Sequence, residues 1–118
     1  VRSLADDMAA MLGGNAPLTA LRRARIGSLR ANNGVTIDDL ANWRAYFLTP
    51  AQALTDLPSV TVDSETVTGV RNGLRFVGGP IVTGPEDTPY LVLGPEGGLV
   101  AVYARHGEGA LPEVVLPA

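Results

Sequence analysis

The spacing of apolar residues changes character along this chain. Val1, Leu4, Ala5, Met8, Met11 and Leu12 recur at three- and four-residue intervals, which predicts an amphipathic helix, and Gly13-Gly14 supplies its stop. Arg2 and Asp6 stand four apart on it, where they can pair along the helix surface. Asn15-Ala16-Pro17 reads as a turn. The stretch from Leu18 to Gly27 then fits two periods. As a strand it places Leu18, Ala20, Arg22, Ala24 and Ile26 on one face and Thr19, Leu21, Arg23 and Arg25 on the other. As a helix it has the better propensity, since Leu, Ala and Arg are all helix formers. Periodicity does not decide between them.

Ser28 to Gly34 is polar and reads as a loop. Thr36 is placed to cap a helix from Ile37 to about Ala45, with Asp38 and Asp39 in the first turn, where the helix dipole favours acids. Trp43, Tyr46 and Phe47 form the aromatic cluster of this half, read as a hydrophobic anchor, with a base-stacking platform as the alternative. Thr49 caps and Pro50 opens a short helix that runs to about Asp56 and ends before Pro58.

After Ser59 the period shortens. Val60 and Val62 alternate with polar neighbours, which predicts a strand. Asp63 or Ser64 caps a helix from about Glu65 to Asn72, ended by Gly73. Leu74–Val77, Ile81–Thr83, Tyr90–Leu93, Leu99–Tyr103 and Val114–Leu116 are apolar, largely β-branched runs separated by Gly- and Pro-containing turns. Ten of the fourteen glycines follow residue 68, so the turn chemistry of this half differs from that of the first. The expected fold class is α+β: a helix–strand–helix segment, then a small β-barrel with one helix across it, whose closure would protect the strand edges.

Composition narrows the function. Hydrophobic residues make up 46% of the 118 and charged residues 18%, enough for a packed core. Cysteine is absent, which excludes disulfides, thiolate metal sites and thiol chemistry, and a single histidine cannot build a histidine metal site. The longest apolar run, Leu99 to Ala104, is far short of the ~20 residues of a membrane span. The net charge of −3 is unevenly spread. Residues 1–48 carry six arginines against four aspartates, a balance of +2, and residues 49–118 carry three against eight acids, a balance of −5. There is no lysine. Charge and pattern together divide the chain into two units, 1–56 and 57–118. The start at Val1, inside a helical pattern, suggests a piece of a longer protein.

Three arginines lie within four positions at Arg22, Arg23 and Arg25, interleaved with apolar residues. Such a cluster calls for an anion, either the protein's own carboxylate or a phosphate. A solvated or salt-bridged edge is the plainer reading. Arg22, on the more apolar face, would need a partner if buried.

Arg2-Ser3-Leu4-Ala5-Asp6-Asp7-Met8, followed by Leu18-Thr19-Ala20-Leu21-Arg22-Arg23-Ala24-Arg25-Ile26-Gly27, resembles the C-terminal part of the tRNA pseudouridine synthases of the TruB type. That family reads Gly-Thr-Tyr-Ile-Arg-Ser-Leu-Ala-x-Asp-Leu-Gly and then Leu-Thr-Ala-Leu-Arg-Arg-Thr-Arg-Ile-Gly. Met8-Ala9 stands here where Leu-Gly is usual, and Pro17 where His is common. Leu54-Thr55-Asp56-Leu57-Pro58 resembles the entry to the family's PUA-like RNA-binding domain, and Leu111 to Pro117 its last strand.

The resemblance implies an enzyme that isomerises a T-loop uridine of tRNA to pseudouridine, with no cofactor and no metal. It makes residues 1–56 the end of the catalytic domain and 57–118 the PUA-like domain. It favours the strand reading of Leu18 to Gly27. Arg2 matches the arginine that supports the catalytic aspartate, and Leu21 the leucine lining the uracil pocket. That aspartate belongs to a Gly-x-Leu-Asp-Pro motif absent from these residues, and Asp6 and Asp7 are helix-surface acids. The expected RNA contacts are Arg22, Arg23, Arg25, Arg71 and Arg75, with Arg105 and backbone amides near Gly73 and Gly78-Gly79 as further candidates. The implied partners are the T arm and acceptor stem of tRNA, with a cytoplasmic monomer expected. Alone, the chain is expected to be inactive, and residues 1–56 poorly ordered. The alternative is a free-standing PUA-like RNA- or protein-binding adaptor, and beyond it a purely structural domain.

Overall fold

The computed structural model describes residues 1–117. It is mixed α+β: helical segments and a small hairpin come first, then a five-stranded half-barrel with one helix.

Helix α1 spans Arg2–Met11. It ends in paired C-terminal bonds, Gly14 N–H to the Ala9 carbonyl and Gly13 N–H to that of Ala10, both 3.0 Å. This Schellman pattern satisfies carbonyls that the helix itself leaves open. The expected Arg2–Asp6 pair does not form: among the described residues the ion pairs within 4 Å involve only His106. Arg2 and Asp6 are both exposed, where an ion pair contributes little.

Residues 15–24 form neither the helix their composition favours nor a full strand. Only Arg25–Ile26 (β1) is paired, with Leu29–Arg30 (β2), in the register Arg25↔Arg30 and Ile26↔Leu29. A strand needs a neighbour for its amides, and β2 offers only two residues. The predicted loop at Ser28–Gly34 is therefore in part a hairpin. Gly27 takes φ +56° at the first position of the two-residue turn, and a Cβ there would collide with the Asp56 carboxylate. That carboxylate accepts the Ser28 N–H at 2.6 Å, and the Ser28 and Thr55 hydroxyls lie 3.0 Å apart. The turn is thus latched to the segment after α2 (Pro50–Ala53).

The helix expected over Ile37–Ala45 is a 3₁₀ segment, Ile37–Tyr46, broken at Asn42 (φ −108°). Thr36 occupies the cap position, but its hydroxyl donates to Asp39 Oδ2 at 2.8 Å instead of accepting a backbone N–H. Trp43, Tyr46 and Phe47 remain exposed, so among the described residues no core receives them as an anchor. Trp43 packs edge-on against Phe47, with Arg44 over its ring. α2 carries the expected Thr49 cap in a reciprocal box with Gln52, but stops at Ala53 instead of reaching Asp56.

β3 (Ser59–Thr61) leads into α3 (Ser64–Arg71). Asp63 Oδ1 accepts the Thr66 N–H at 2.7 Å, the cap expected from sequence. Gly73, at φ +69°, closes α3 with the same paired bonds as α1, Leu74 N–H to Gly69 and Gly73 N–H to Val70. β4 (Phe76–Val77), β5 (Pro89–Leu93), β6 (Leu99–His106) and β7 (Gly109–Val115) complete the sheet, in the order β3-β5-β6-β7-β4. β3 runs parallel to β5, and the other neighbours are antiparallel. β3 and β4 are the two edges, so the sheet curls without the closure expected. The run Ile81–Thr83 is not a strand. Ile81 instead turns inward, 2% exposed, and its carbonyl accepts the Tyr90 hydroxyl.

The core lies between α3 and the sheet: Val62, Val70, Ile81, Tyr90, Val92, Val100, Ala101, Tyr103 and Ala110. Burying one valine side chain is worth about 2 kcal/mol, so the cluster is the main apolar contribution to the half-barrel. Its two tyrosines are buried with their hydroxyls satisfied, Tyr103 donating to the Leu74 carbonyl at 2.9 Å. Burial pushes both phenols above their usual range.

Candidate functional site

The first turns of α1 and the extended segment after Pro17 face one another. Between them lies an open cleft of about 590 Å³, lined by Arg2, Ser3 and Asp6 on the helix and Ala16 to Leu21 opposite. Arg2 and Leu21, nineteen positions apart in sequence, thus line one cleft. Arg2 brings a guanidinium with no carboxylate within 4 Å among the described residues. Leu21 is 58% exposed. The cleft offers an exposed cation beside the Leu21 side chain. That suits a planar, partly apolar group with an anion at its edge. Asp6 lines the same cleft.

A second cleft, of about 230 Å³, is lined by Arg23, Arg25, Ile26, Leu29, Arg30 and Ala31. Arg23 and Arg25 come together here, as their strand parity requires, and Arg30 joins them across the hairpin. Sequence reasoning missed Arg30 by treating Ser28–Gly34 as a loop. The signal was Ile26-Gly27-Ser28-Leu29, an apolar–Gly–Ser–apolar run typical of a two-residue hairpin. Arg22 is exposed and lines neither cleft.

Arg71 and Arg75 belong to the half-barrel. Arg71 ends α3 and borders a cleft with Ser64, Glu96 and Leu99, beside the β5–β6 turn. Arg75 lies across β7, where a Cβ on Gly109 would come within 2.9 Å of its Nε. Arg105 is tied to its own loop, its guanidinium donating to the Gly107 and Gly84 carbonyls at 3.0 and 3.4 Å. His106 ends β6. Its Nδ1 is 2.7 Å from Asp87 and its Nε2 3.6 Å from Glu113.

Residues 2–57 match the family described as the tRNA pseudouridylate synthase B C-terminal domain. A tRNA pseudouridine synthase B of Arthrobacter sp. (strain FB24) is 30% identical over 119 residues, covering 98% of this chain and 39% of the relative. The chain is homologous to the C-terminal region of tRNA pseudouridine synthase B and belongs to the TruB family. The same-named protein of Burkholderia mallei (strain NCTC 10247) is 34% identical over 125 residues, 94% of this chain and 39% of that one. That of Symbiobacterium thermophilum is 38% identical over 74 residues, 63% of this chain and 25% of that one. The chain therefore spans about two-fifths of the length of the first two of these TruB relatives. Both the Arg2 cleft and the Arg23–Arg30 cleft fall inside the family-matched residues.

Proposed function

We propose that residues 1–56 form one wall of the uridine pocket of a tRNA pseudouridine(55) synthase, and that 57–118 form its PUA-like RNA-binding domain. The intact enzyme detaches the uracil of a T-loop uridine and reattaches it through carbon. This needs a base drawn out of its stack and a carboxylate near sugar and base, with no cofactor. Arg2 supports that carboxylate, which is supplied from outside these residues. A guanidinium within about 4–6 Å keeps a partly buried aspartate ionised. Leu21 packs on the uracil. Arg22, Arg23, Arg25, Arg71 and Arg75 contact RNA, on the T arm and the acceptor stem. The enzyme acts as a monomer in the cytoplasm, and this part of it contributes binding and pocket support rather than turnover.

The observation that carries this reading is that Arg2 and Leu21 line the same cleft. In the full synthase bearing these residues, Arg2→Gln should lower kcat on a T-arm hairpin roughly 10- to 100-fold, the scale of one charged hydrogen bond, and leave KM nearly unchanged. An unchanged kcat would remove Arg2 from the chemistry. A second reading is a PUA-like RNA- or protein-binding adaptor without catalysis. It is favoured by one feature, a core complete within the half-barrel. A kcat loss confined to the Arg2 variant counts against it.

A further inference from the structure

The hairpin opposes two like charges. Arg25 and Arg30 are direct cross-strand partners. In a two-residue hairpin the Ile26↔Leu29 pair next to the turn is hydrogen-bonded, and Ala31 N–H donates to the Ala24 carbonyl at 2.9 Å two pairs beyond. Arg25↔Arg30 is thus the intervening non-hydrogen-bonded pair, whose side chains stand closest. Arg23, two residues back, lies on the same face. Like charges so placed are destabilising unless something negative sits between them. Among the described residues no carboxylate lies within 4 Å of any of the three. Asp56 is engaged at the far side of the turn by the Ser28 amide. Ile26, Leu29 and Ala31 also border the cleft, which is open to solvent.

We propose that Arg30 completes a three-guanidinium site with Arg23 and Arg25 that holds a phosphodiester of the RNA backbone, the turn at Gly27-Ser28 being fixed by Asp56 to keep the two strands in register. This rests on the RNA-contacting role of Arg23 and Arg25 proposed above and adds a residue and a geometry to it. Guanidinium forks match the paired oxygens of a phosphate. The contact is to the backbone, so it positions RNA without reading its sequence.

The test is the salt dependence of T-arm hairpin binding by the 118-residue chain, followed by fluorescence anisotropy between about 50 and 200 mM salt. The expectation for Arg30→Gln is roughly five- to tenfold weaker binding near 0.1 M salt. The slope of log K against log salt should be shallower by about 0.9, one phosphate's worth. Arg30→Lys should restore most of the slope. Arg44→Gln, whose guanidinium lies over the Trp43 ring, should leave it unchanged. Wild-type binding with an unaltered slope in Arg30→Gln overturns this site alone. No salt-dependent binding by the wild-type chain overturns the RNA-contacting role as well. Amide exchange at Ser28 reports whether each variant keeps the hairpin.

Discussion

Single residues set several of the local outcomes. Asp63 shows this for a cap: the Thr66 N–H holds its carboxyl below the ordinary value of 3.8. A depressed folded value means that the unfolded chain binds the proton more readily. The cap's stabilisation is therefore whole above about pH 4 and is lost as pH falls through the lowered value. Asp63→Ala should lower the Tm of the half-barrel at neutral pH and flatten the acid side of its stability profile, measured by thermal unfolding across pH. An acid limb unchanged by the substitution would take Asp63 out of the account. Much of this was legible before the fold was seen, because caps are short-range: Asp63, Thr49, Gly13 and Gly73 announce their roles within four residues. The Arg2–Asp6 pair was not. Spacing permits it, but two exposed side chains gain little by meeting and lose rotamer freedom.

At the scale of elements, legibility follows where the stabilising contacts lie. β5 and β6 were readable as β-branched runs between turns because their burial is dense and repeated. β7 begins at Gly109, well before the apolar run that marked it, since its first residues are held by β6 and not by their own side chains. Ile81–Thr83 has a strand's composition but packs as a turn under Tyr90. The segment Leu18–Ala24 has a strand's parity and no strand beside it. The hairpin β1–β2 depends on a single turn, and Gly27→Ala tests that dependence. Positive φ costs a side-chain-bearing residue about 1–2 kcal/mol, and the new Cβ would displace the Asp56 carboxylate. Exchange protection of the Ser28 amide should fall about tenfold, while amides of β6 are unaffected. Retained protection at Ser28 would mean that the latch does not hold the turn.

The whole molecule is uneven. The half-barrel carries a continuous core, whereas Ala9 is the one buried residue among positions 1–56. Ile37 is 85% exposed and Phe47 72%, and the radius of gyration is 20.2 Å, where a compact domain of 100 residues has about 13 Å. The first half thus displays an apolar and arginine-bearing surface rather than enclosing it. That is the physical form expected of one wall of a pocket, and the family-matched residues coincide with it. Asp6, in the same cleft as Arg2 and Leu21, is the internal rival to an aspartate supplied from elsewhere. Pseudouridine formation in a T-arm hairpin by the 118-residue chain alone decides between them most directly. The hairpin should be bound and no uridine converted. Conversion by the isolated chain would contradict this and place the nucleophile within these residues.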